Sequence, residues 1–160
     1  MNVTLVTVGQ TKEKALDALC AAYETRLKPD WTFSRRIIRP AYLPENPGEK
    51  EIAAALEKEA EEIRSFLDTK KRSVKVALCV EGKALKSEEF ARFIGERMLQ
   101  SGEFIFLIGS SFGLSERVKA LCDLKLSLSA MTLPHELARL FFTEQLYRAK
   151  TILDGKKYHK

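Results

Sequence analysis

The stretch Leu124-Lys-Leu-Ser-Leu-Ser-Ala-Met-Thr-Leu-Pro-His-Glu-Leu-Ala-Arg139 decides how the chain folds, because its pattern changes half-way along. Over residues 124–129 apolar and polar residues alternate, which is the period-two pattern of a β-strand. Pro134 fits the first turn of a helix, where its missing N–H costs no hydrogen bond. The sequence therefore predicts a strand, a short loop and a helix that begins near Pro134.

The predicted helix is apolar on nearly every side, with Leu137, Leu140, Phe141, Phe142, Leu146, Tyr147, Ala149, Ile152 and Leu153. A helix of this kind is buried, either in a core or against a partner. Because a chain of 160 residues offers limited core, the pattern favours a homodimer interface. Arg139 and Arg148 interrupt the apolar surface, and each needs a carboxylate, a phosphate or a partner subunit.

Bulk composition predicts a single globular domain over residues 1–160. The chain has 45% hydrophobic and 31% charged residues, which argues against wholesale disorder. Its net charge of +5 and pI of about 9.1 favour a polyanionic partner such as nucleic acid, without establishing one.

The three cysteines, Cys20, Cys79 and Cys122, are widely spaced and form no CxxC pair. Both a disulfide framework and a zinc site are therefore disfavoured, and we expect no metal. The first residues lack the basic region and cleavage site of a signal peptide, and no apolar run reaches the length of a membrane span. We expect a cytoplasmic protein that does not enter a membrane.

Predicted strands and helices alternate along the chain. The strands cover residues 3–8, 31–39, 76–80, 104–108 and 124–129. The helices cover residues 12–27, 49–67, a stretch from Ser87, 115–122 and the one after Pro134, with Thr11 as the N-cap of the first. This order predicts an α/β fold with a mostly parallel sheet and helices on both faces.

Ligands of open α/β sheets bind beyond the carboxyl ends of the strands. Three such ends stand out, at residues 78–82, 108–113 and 128–134. Gly109 and Gly113 would let backbone approach a ligand closely, or they simply make a tight turn, which is the reading that local sequence favours. There is no GxGxxG and no Walker lysine motif, so an ordinary dinucleotide or P-loop site is disfavoured.

The two histidines have a structural and a functional interpretation each. His135 would stand at a helix start, as a structural group or as a neutral hydrogen-bonding group. The terminal Tyr158-His159-Lys160 is either a frayed basic tail or a set of groups that stack on bases and hold phosphates.

Several motifs together resemble one enzyme family from end to end. They are Val6-Thr-Val-Gly9 with Tyr23-Glu-Thr-Arg-Leu27, Leu78 to Lys83, Phe106-Leu-Ile-Gly109 with Gly113-Leu114, Leu126-Ser-Leu-Ser-Ala-Met-Thr-Leu-Pro-His135, Glu144-Gln-Leu-Tyr-Arg-Ala149 and Tyr158-His159-Lys160. They are similar to the large-subunit ribosomal RNA methyltransferase H family. The resemblance implies a SPOUT-class α/β fold with a C-terminal trefoil knot, which sequence periodicity does not predict. It also implies a homodimer that uses S-adenosylmethionine to methylate N3 of a pseudouridine in 23S rRNA, on the ribosome or its RNA.

By position, the resemblance assigns the cofactor site to Leu78, Gly109, Leu128, Ser129, Ala130, Met131, Thr132 and Leu133. One position departs from the family, which commonly has a second glycine where this chain has Ser110. In-line methyl transfer would use His159 as a general base, worth on the order of 10²–10⁴ in rate. Tyr158 would position or stack the target base, and Arg139 would hold RNA phosphate or the active-site loop. The site would be shared across the dimer, because tail and knot lie far apart in sequence.

Two other functions stay open at this point. A non-catalytic ribosome- or RNA-binding module of the same fold would bind RNA but not S-adenosylmethionine. A small-molecule methyltransferase of the same fold class would show no salt-dependent RNA affinity.

Overall fold

The computed structural model describes residues 1–158, in which all neighbouring strands of one five-stranded sheet run parallel. The strands are β1 Asn2–Val8, β2 Thr32–Ile38, β3 Val74–Ala84, β4 Glu103–Ile108 and β5 Leu124–Ser127. The helices are α1 Lys14–Arg26, α2 Glu49–Asp68, α3 Ser87–Met98, α4 Glu116–Lys119 and α5 His135–Leu153. The strand order is β2-β1-β4-β3-β5. The trefoil knot stays a prediction of the family resemblance.

Helices cover both faces of the sheet, because the central strand is apolar on both. Phe104, Phe106 and Ile108 of β4 pack into a cluster with residues of α3 and α5. Ile105 and Leu107 point the other way, into a cluster with residues of α2 and α4. The continuous apolar run of β4 is thus explained by burial on two sides. The predicted parallel α/β sheet with helices on both faces is confirmed.

Helix α5 is buried to a large extent by its own chain. It packs against α1 and α3, and Phe142, Leu146 and Ala149 are fully inaccessible to solvent. The rings of Phe106 and Phe142 lie 4.6 Å apart between centroids. The core of the same chain therefore buries much of the apolar surface of α5, which the sequence pattern had favoured as a homodimer interface. Leu137 and Phe141 remain about two-fifths exposed, and the homodimer stays a prediction.

Several predicted element ends differ from the structure, among them β3, which runs from Val74 to Ala84 where residues 76–80 were predicted. Thr11 is not the N-cap of α1, because Glu13 takes that place and accepts the N–H of Ala15 at 3.1 Å. Strand β5 ends at Ser127, two residues early, since the Ser127 hydroxyl donates to the Ser129 carbonyl at 2.9 Å and turns the chain out of the sheet. Within residues 1–158, no helix is long and apolar enough to cross a membrane.

The burial of α5 yields a stability prediction. Leu146→Ala removes a side chain that is 0% exposed, whereas Leu99→Ala truncates one that is 90% exposed. We expect the first change to lower the free energy of unfolding by roughly 2–5 kcal/mol and the second to change it by about 0.5 kcal/mol or less. Urea unfolding of both variants at one protein concentration measures the difference. Equal losses would contradict the packing of α5 described here.

Candidate functional site

A cavity of about 860 Å³ opens at the carboxyl edge of the sheet. Its volume lies in the range of roughly 300–1,000 Å³ that is usual for small-molecule sites. The wall comes from the middle of β3, from the end of β4 and from the segment after β5, with residues 78–81, 108–114, 119, 128–129, 131–135 and 138. The three strand ends selected from the sequence therefore converge on one cavity.

Seven of the eight residues assigned to the cofactor site line this cavity. They are Leu78, Gly109, Leu128, Ser129, Met131, Thr132 and Leu133. Ala130 is not among the lining residues, although both of its neighbours are. The Ser129 hydroxyl accepts the N–H of Met131 at 2.9 Å, which folds the segment into a tight bend around Ala130.

The turn after β4 requires glycine at two positions. A Cβ on Gly109 would lie 2.1 Å from the carbonyl oxygen of Gly113, a contact that no side chain can make. Gly113 itself has φ of +82°, and its N–H donates to the Ser110 carbonyl at 2.9 Å. Both glycines are thus explained by the turn, and the same turn places bare backbone on the cavity wall.

The backbone of β3 near its end also passes close to the backbone of β5. A Cβ on Gly82 would lie 2.6 Å from the carbonyl carbon of Leu126. Leu126 is paired with Leu78 and again with Lys83, because the register shifts between those two residues of β3. Residues 79–82 are therefore displaced from the regular ladder, and residues 79–81 face the cavity.

Glu81 and Lys119 put two opposite charges on the cavity wall. The Lys119 ammonium pairs with Glu81 and with Glu116, the latter at 2.8 Å, and its side chain is 11% exposed. Burial lowers the pKa of Lys119, but the hydrogen bonds to Glu116 and Glu81 outweigh it and raise that pKa above its ordinary value of 10.5. The sequence prediction named neither as a site residue, although Glu81 lies in the candidate stretch 78–82. Glu81 directly follows the apolar run 76–80, which is a usable signal, whereas nothing local distinguishes Lys119.

Helix α5 begins at the cavity and is tied to the loop after β1. His135 and Ala138 line the cavity. The Glu136 carboxylate accepts the N–H of Lys12 at 2.7 Å, and the N–H of Glu13 at 3.4 Å. These backbone hydrogen bonds, led by the one from Lys12, lower the pKa of Glu136. The first turn of α5 therefore holds the loop that leads into α1.

Arg139 is buried in an ion-pair cluster rather than on the cavity wall. Its side chain is 6% exposed, and its guanidinium lies 3.0 Å from Asp17 and 3.7 Å from Glu24. Arg35 pairs with the same two carboxylates at 2.7 Å each. Arg139 also donates to the Thr11 hydroxyl. The sequence left a carboxylate, a phosphate or a partner subunit open as the partner of Arg139, and in the structure the partners are carboxylates. The hydrogen bond to Thr11 also connects Arg139 to the loop before α1.

Tyr158 follows α5 and packs back against that helix, away from the cavity of the same chain. Its ring contacts Tyr147 at 4.9 Å between centroids and Arg148 at 4.9 Å, and its hydroxyl donates to Glu144 at 3.1 Å. The three contacted residues, Glu144, Tyr147 and Arg148, follow the cavity residue Ala138 by six to ten positions, which is roughly 9–15 Å along the helix axis. Burial, with hydrogen bonds to Tyr23 and Glu144, raises the pKa of Tyr158. His159 lies outside the described residues.

Comparison with known proteins identifies the family of the chain. The family profile described as "Predicted SPOUT methyltransferase" matches residues 1–159. A protein of Carboxydothermus hydrogenoformans called ribosomal RNA large subunit methyltransferase H is 40% identical over 161 residues, covering 100% of both chains. A Streptococcus mutans protein of the same name is 38% identical with the same coverage. The chain belongs to the ribosomal RNA large subunit methyltransferase H family of SPOUT methyltransferases.

Solved structures support the SPOUT fold. A probable methylase family protein from Haemophilus influenzae has a TM-score of 0.59 at 15% identity, over 99% of this chain and 70% of that one. The SpoU methyltransferase AviRb from Streptomyces viridochromogenes has a TM-score of 0.52 at 14% identity, over 97% and 61%. At such identities the likeness concerns the fold alone. The family resemblance drawn from the sequence motifs is confirmed.

The crowded turn at Gly109 generates a prediction about this SPOUT protein. Gly109→Ala forces a Cβ against the Gly113 carbonyl, so we expect the free energy of unfolding to fall by roughly 1–3 kcal/mol or more. Gly102→Ala is the matched control, because a Cβ there meets nothing within 4 Å. Thermal and urea unfolding of the two variants provide the comparison. A Gly109→Ala variant as stable as the control would disprove the close approach.

The ion-pair cluster predicts a pH-dependent contribution to stability. The hydrogen bond from Arg35 holds the pKa of Asp17 below its ordinary value of 3.8. A carboxyl with a depressed folded pKa stabilises the fold above its unfolded pKa, and this contribution disappears as the pH falls through the folded value. Asp17→Asn should therefore destabilise the chain at pH 6, and the gap from the wild type should shrink below pH 3.8.

The control for this experiment is Asp68→Asn, since the Asp68 side chain is 67% exposed and lies 3.9 Å from Arg64. We expect little change in the free energy of unfolding for this variant at either pH. If the difference in free energy of unfolding between Asp17→Asn and the wild type stays constant from pH 6 into the acid range, the ion pairs of Asp17 do not stabilise the fold as proposed.

Proposed function

We propose that the chain transfers a methyl group from S-adenosylmethionine to large-subunit ribosomal RNA, at N3 of a pseudouridine in 23S rRNA. One observation carries this proposal: Leu78, Gly109 and the segment 128–133 apart from Ala130 line the cavity at the sheet edge, and these are positions that the family motifs assign to the cofactor. The names of the relatives, at up to 40% identity over the whole chain, support the substrate class.

The residues of the cavity suit such a methyl donor. Ile108, Leu128 and Leu133 offer apolar wall to an adenine ring, and the backbone around Gly109 can approach it closely. Glu81 and Lys119 complement an ammonium and a carboxylate, the two charged groups of the amino-acid end. When bound, S-adenosylmethionine supplies an electrophilic methyl group on a positively charged sulfur. The apolar wall also excludes water from that group.

Proton removal from N3 is the part of the reaction that a side chain must perform. The N3–H of pseudouridine is weakly acidic, so a positioned base accelerates attack, by on the order of 10²–10⁴. We assign this role to His159, because histidine is the side chain that most often acts as a general base. Tyr158 serves to position the target base or to stack on it. Arg139 acts at a distance, by holding the loop at Thr11 against α5.

We further propose that the site is completed by a second copy of the chain. Tyr158 docks roughly 9–15 Å along α5 from the cavity of its own chain, so the base of the tail does not border that cavity, and a second copy of the chain would supply the tail that completes it. Leu137 and Phe141, one helical turn apart and about two-fifths exposed, provide apolar surface beside the cavity residue Ala138. The net charge of +5 favours association with RNA phosphate.

Mass analysis of 23S rRNA from cells that lack the protein tests this function. The RNA should lack one methyl group on a pseudouridine, and the purified chain with S-adenosylmethionine should restore it on ribosomes or on free rRNA. His159→Ala should lower methyl transfer at least about 100-fold and leave S-adenosylmethionine binding unchanged.

Lys157→Ala, an exposed change two residues away, is the control and should retain most of the activity. Full methylation in the cells that lack the protein would contradict the proposed function. Unchanged turnover in His159→Ala would remove His159 from the mechanism, and a monomer by sedimentation would contradict the shared site.

A further inference from the structure

The hydroxyl of Ser110 is buried at the cavity without serving the fold. Ser110 lines the cavity, and its Oγ has no hydrogen-bond partner among residues 1–158. Two other buried side-chain nitrogens in that part of the chain share this property, but they belong to Arg35 and Arg139, which already form ion pairs. Ser110 is therefore the one unpartnered hydroxyl in the set.

Neighbouring serines show how this hydroxyl differs. The Ser115 hydroxyl accepts the N–H of Val118 at 3.3 Å, the Ser127 hydroxyl donates to the Ser129 carbonyl, and the Ser129 hydroxyl accepts the N–H of Met131. Each of these groups satisfies the local backbone. In Ser110 the backbone carbonyl accepts the N–H of Gly113 at 2.9 Å, whereas the hydroxyl forms no hydrogen bond with the local backbone. The turn is complete without the Ser110 side chain.

An unpaired buried hydroxyl destabilises a protein by about 1–3 kcal/mol, so an alanine or a glycine would suit the empty turn better. The penalty is removed when a ligand brings a polar atom into the cavity. A hydrogen bond that forms only with the ligand adds to affinity, since the Ser110 hydroxyl breaks no bond within the free protein, and only the ligand atom exchanges a hydrogen bond with water.

We infer that Ser110 is a ligand-binding residue whose hydroxyl forms a hydrogen bond with a polar atom of the methyl donor in the cavity. This assignment rests on the proposed function and refines it. It gives the turn after β4 a side-chain contact in addition to the bare backbone at Gly109.

Titration calorimetry with S-adenosylmethionine on the purified full chain tests the assignment. Ser110→Ala should weaken binding about 3- to 10-fold, the effect of one ordinary hydrogen bond, and Ser110→Gly should weaken it at least as much. Without ligand, Ser110→Ala should melt at the same temperature as the wild type or higher, because it removes an unpaired buried group. Ser65→Ala, on the exposed surface of α2, is the control and should change neither quantity.

Several outcomes would overturn the assignment. If Ser110→Ala binds S-adenosylmethionine as tightly as the wild type, the hydroxyl is satisfied by water and Ser110 is no ligand contact. If the alanine variant melts well below the wild type without ligand, the hydroxyl serves the fold. If the wild-type chain itself binds no S-adenosylmethionine, the proposed function fails first and the role of Ser110 fails with it.

Discussion

Close backbone contact at the carboxyl edge of the sheet is the constraint on which the rest of the structure depends. At Gly109 a side chain would collide with the Gly113 carbonyl, and at Gly82 with the backbone of Leu126. These contacts draw the ends of β3, β4 and β5 together at one place. Since backbone rather than side chains fills the narrow points, a cavity of about 860 Å³ remains beside them. The positions that permit the fold and those that form the cavity are thus adjacent.

Helix α5 links this edge to the rest of the molecule. Its first turn borders the cavity and holds the loop at Lys12 through Glu136. One turn later, the buried Arg139 joins it to α1 through an ion pair with Asp17. Its middle fills the core with Phe142 and Leu146, and its surface near Arg148 carries Tyr158. A change in the position of α5 would therefore move the cavity wall, the loop before α1 and the base of the tail together.

The parts of the fold that follow from local pattern could be predicted from the sequence. The alternation over residues 124–129, the apolar run of β4 and Pro134 at the start of α5 depend on residues close in sequence, and the structure has these elements within two residues of the predicted bounds. The three strand ends of the cavity followed from a general rule of parallel sheets, since the carboxyl ends of parallel strands share one edge.

Contacts between distant residues could not be predicted in the same way. Arg139 is 122 positions from Asp17 and 128 from Thr11, and no local signal pairs them. The N-cap of α1 was predicted wrongly at Thr11, because the helix begins two residues later with Glu13 as its cap, and Thr11 instead accepts a hydrogen bond from Arg139. Lys119 reaches the cavity from the one-turn helix α4. Tyr158 contacts α5 because the chain folds back after that helix. Both depend on tertiary geometry.

Amide hydrogen exchange of the purified chain, with and without S-adenosylmethionine, tests the central claim that the three strand ends form the methyl-donor site. Exchange should slow at residues 109–114 and 128–134 when the compound is added, because ligand contact suppresses local opening there. The outer face of α2, Glu49–Asp68, should exchange at the same rate in both samples. Unaltered exchange at both cavity segments, or protection confined to another part of the chain, would contradict the account.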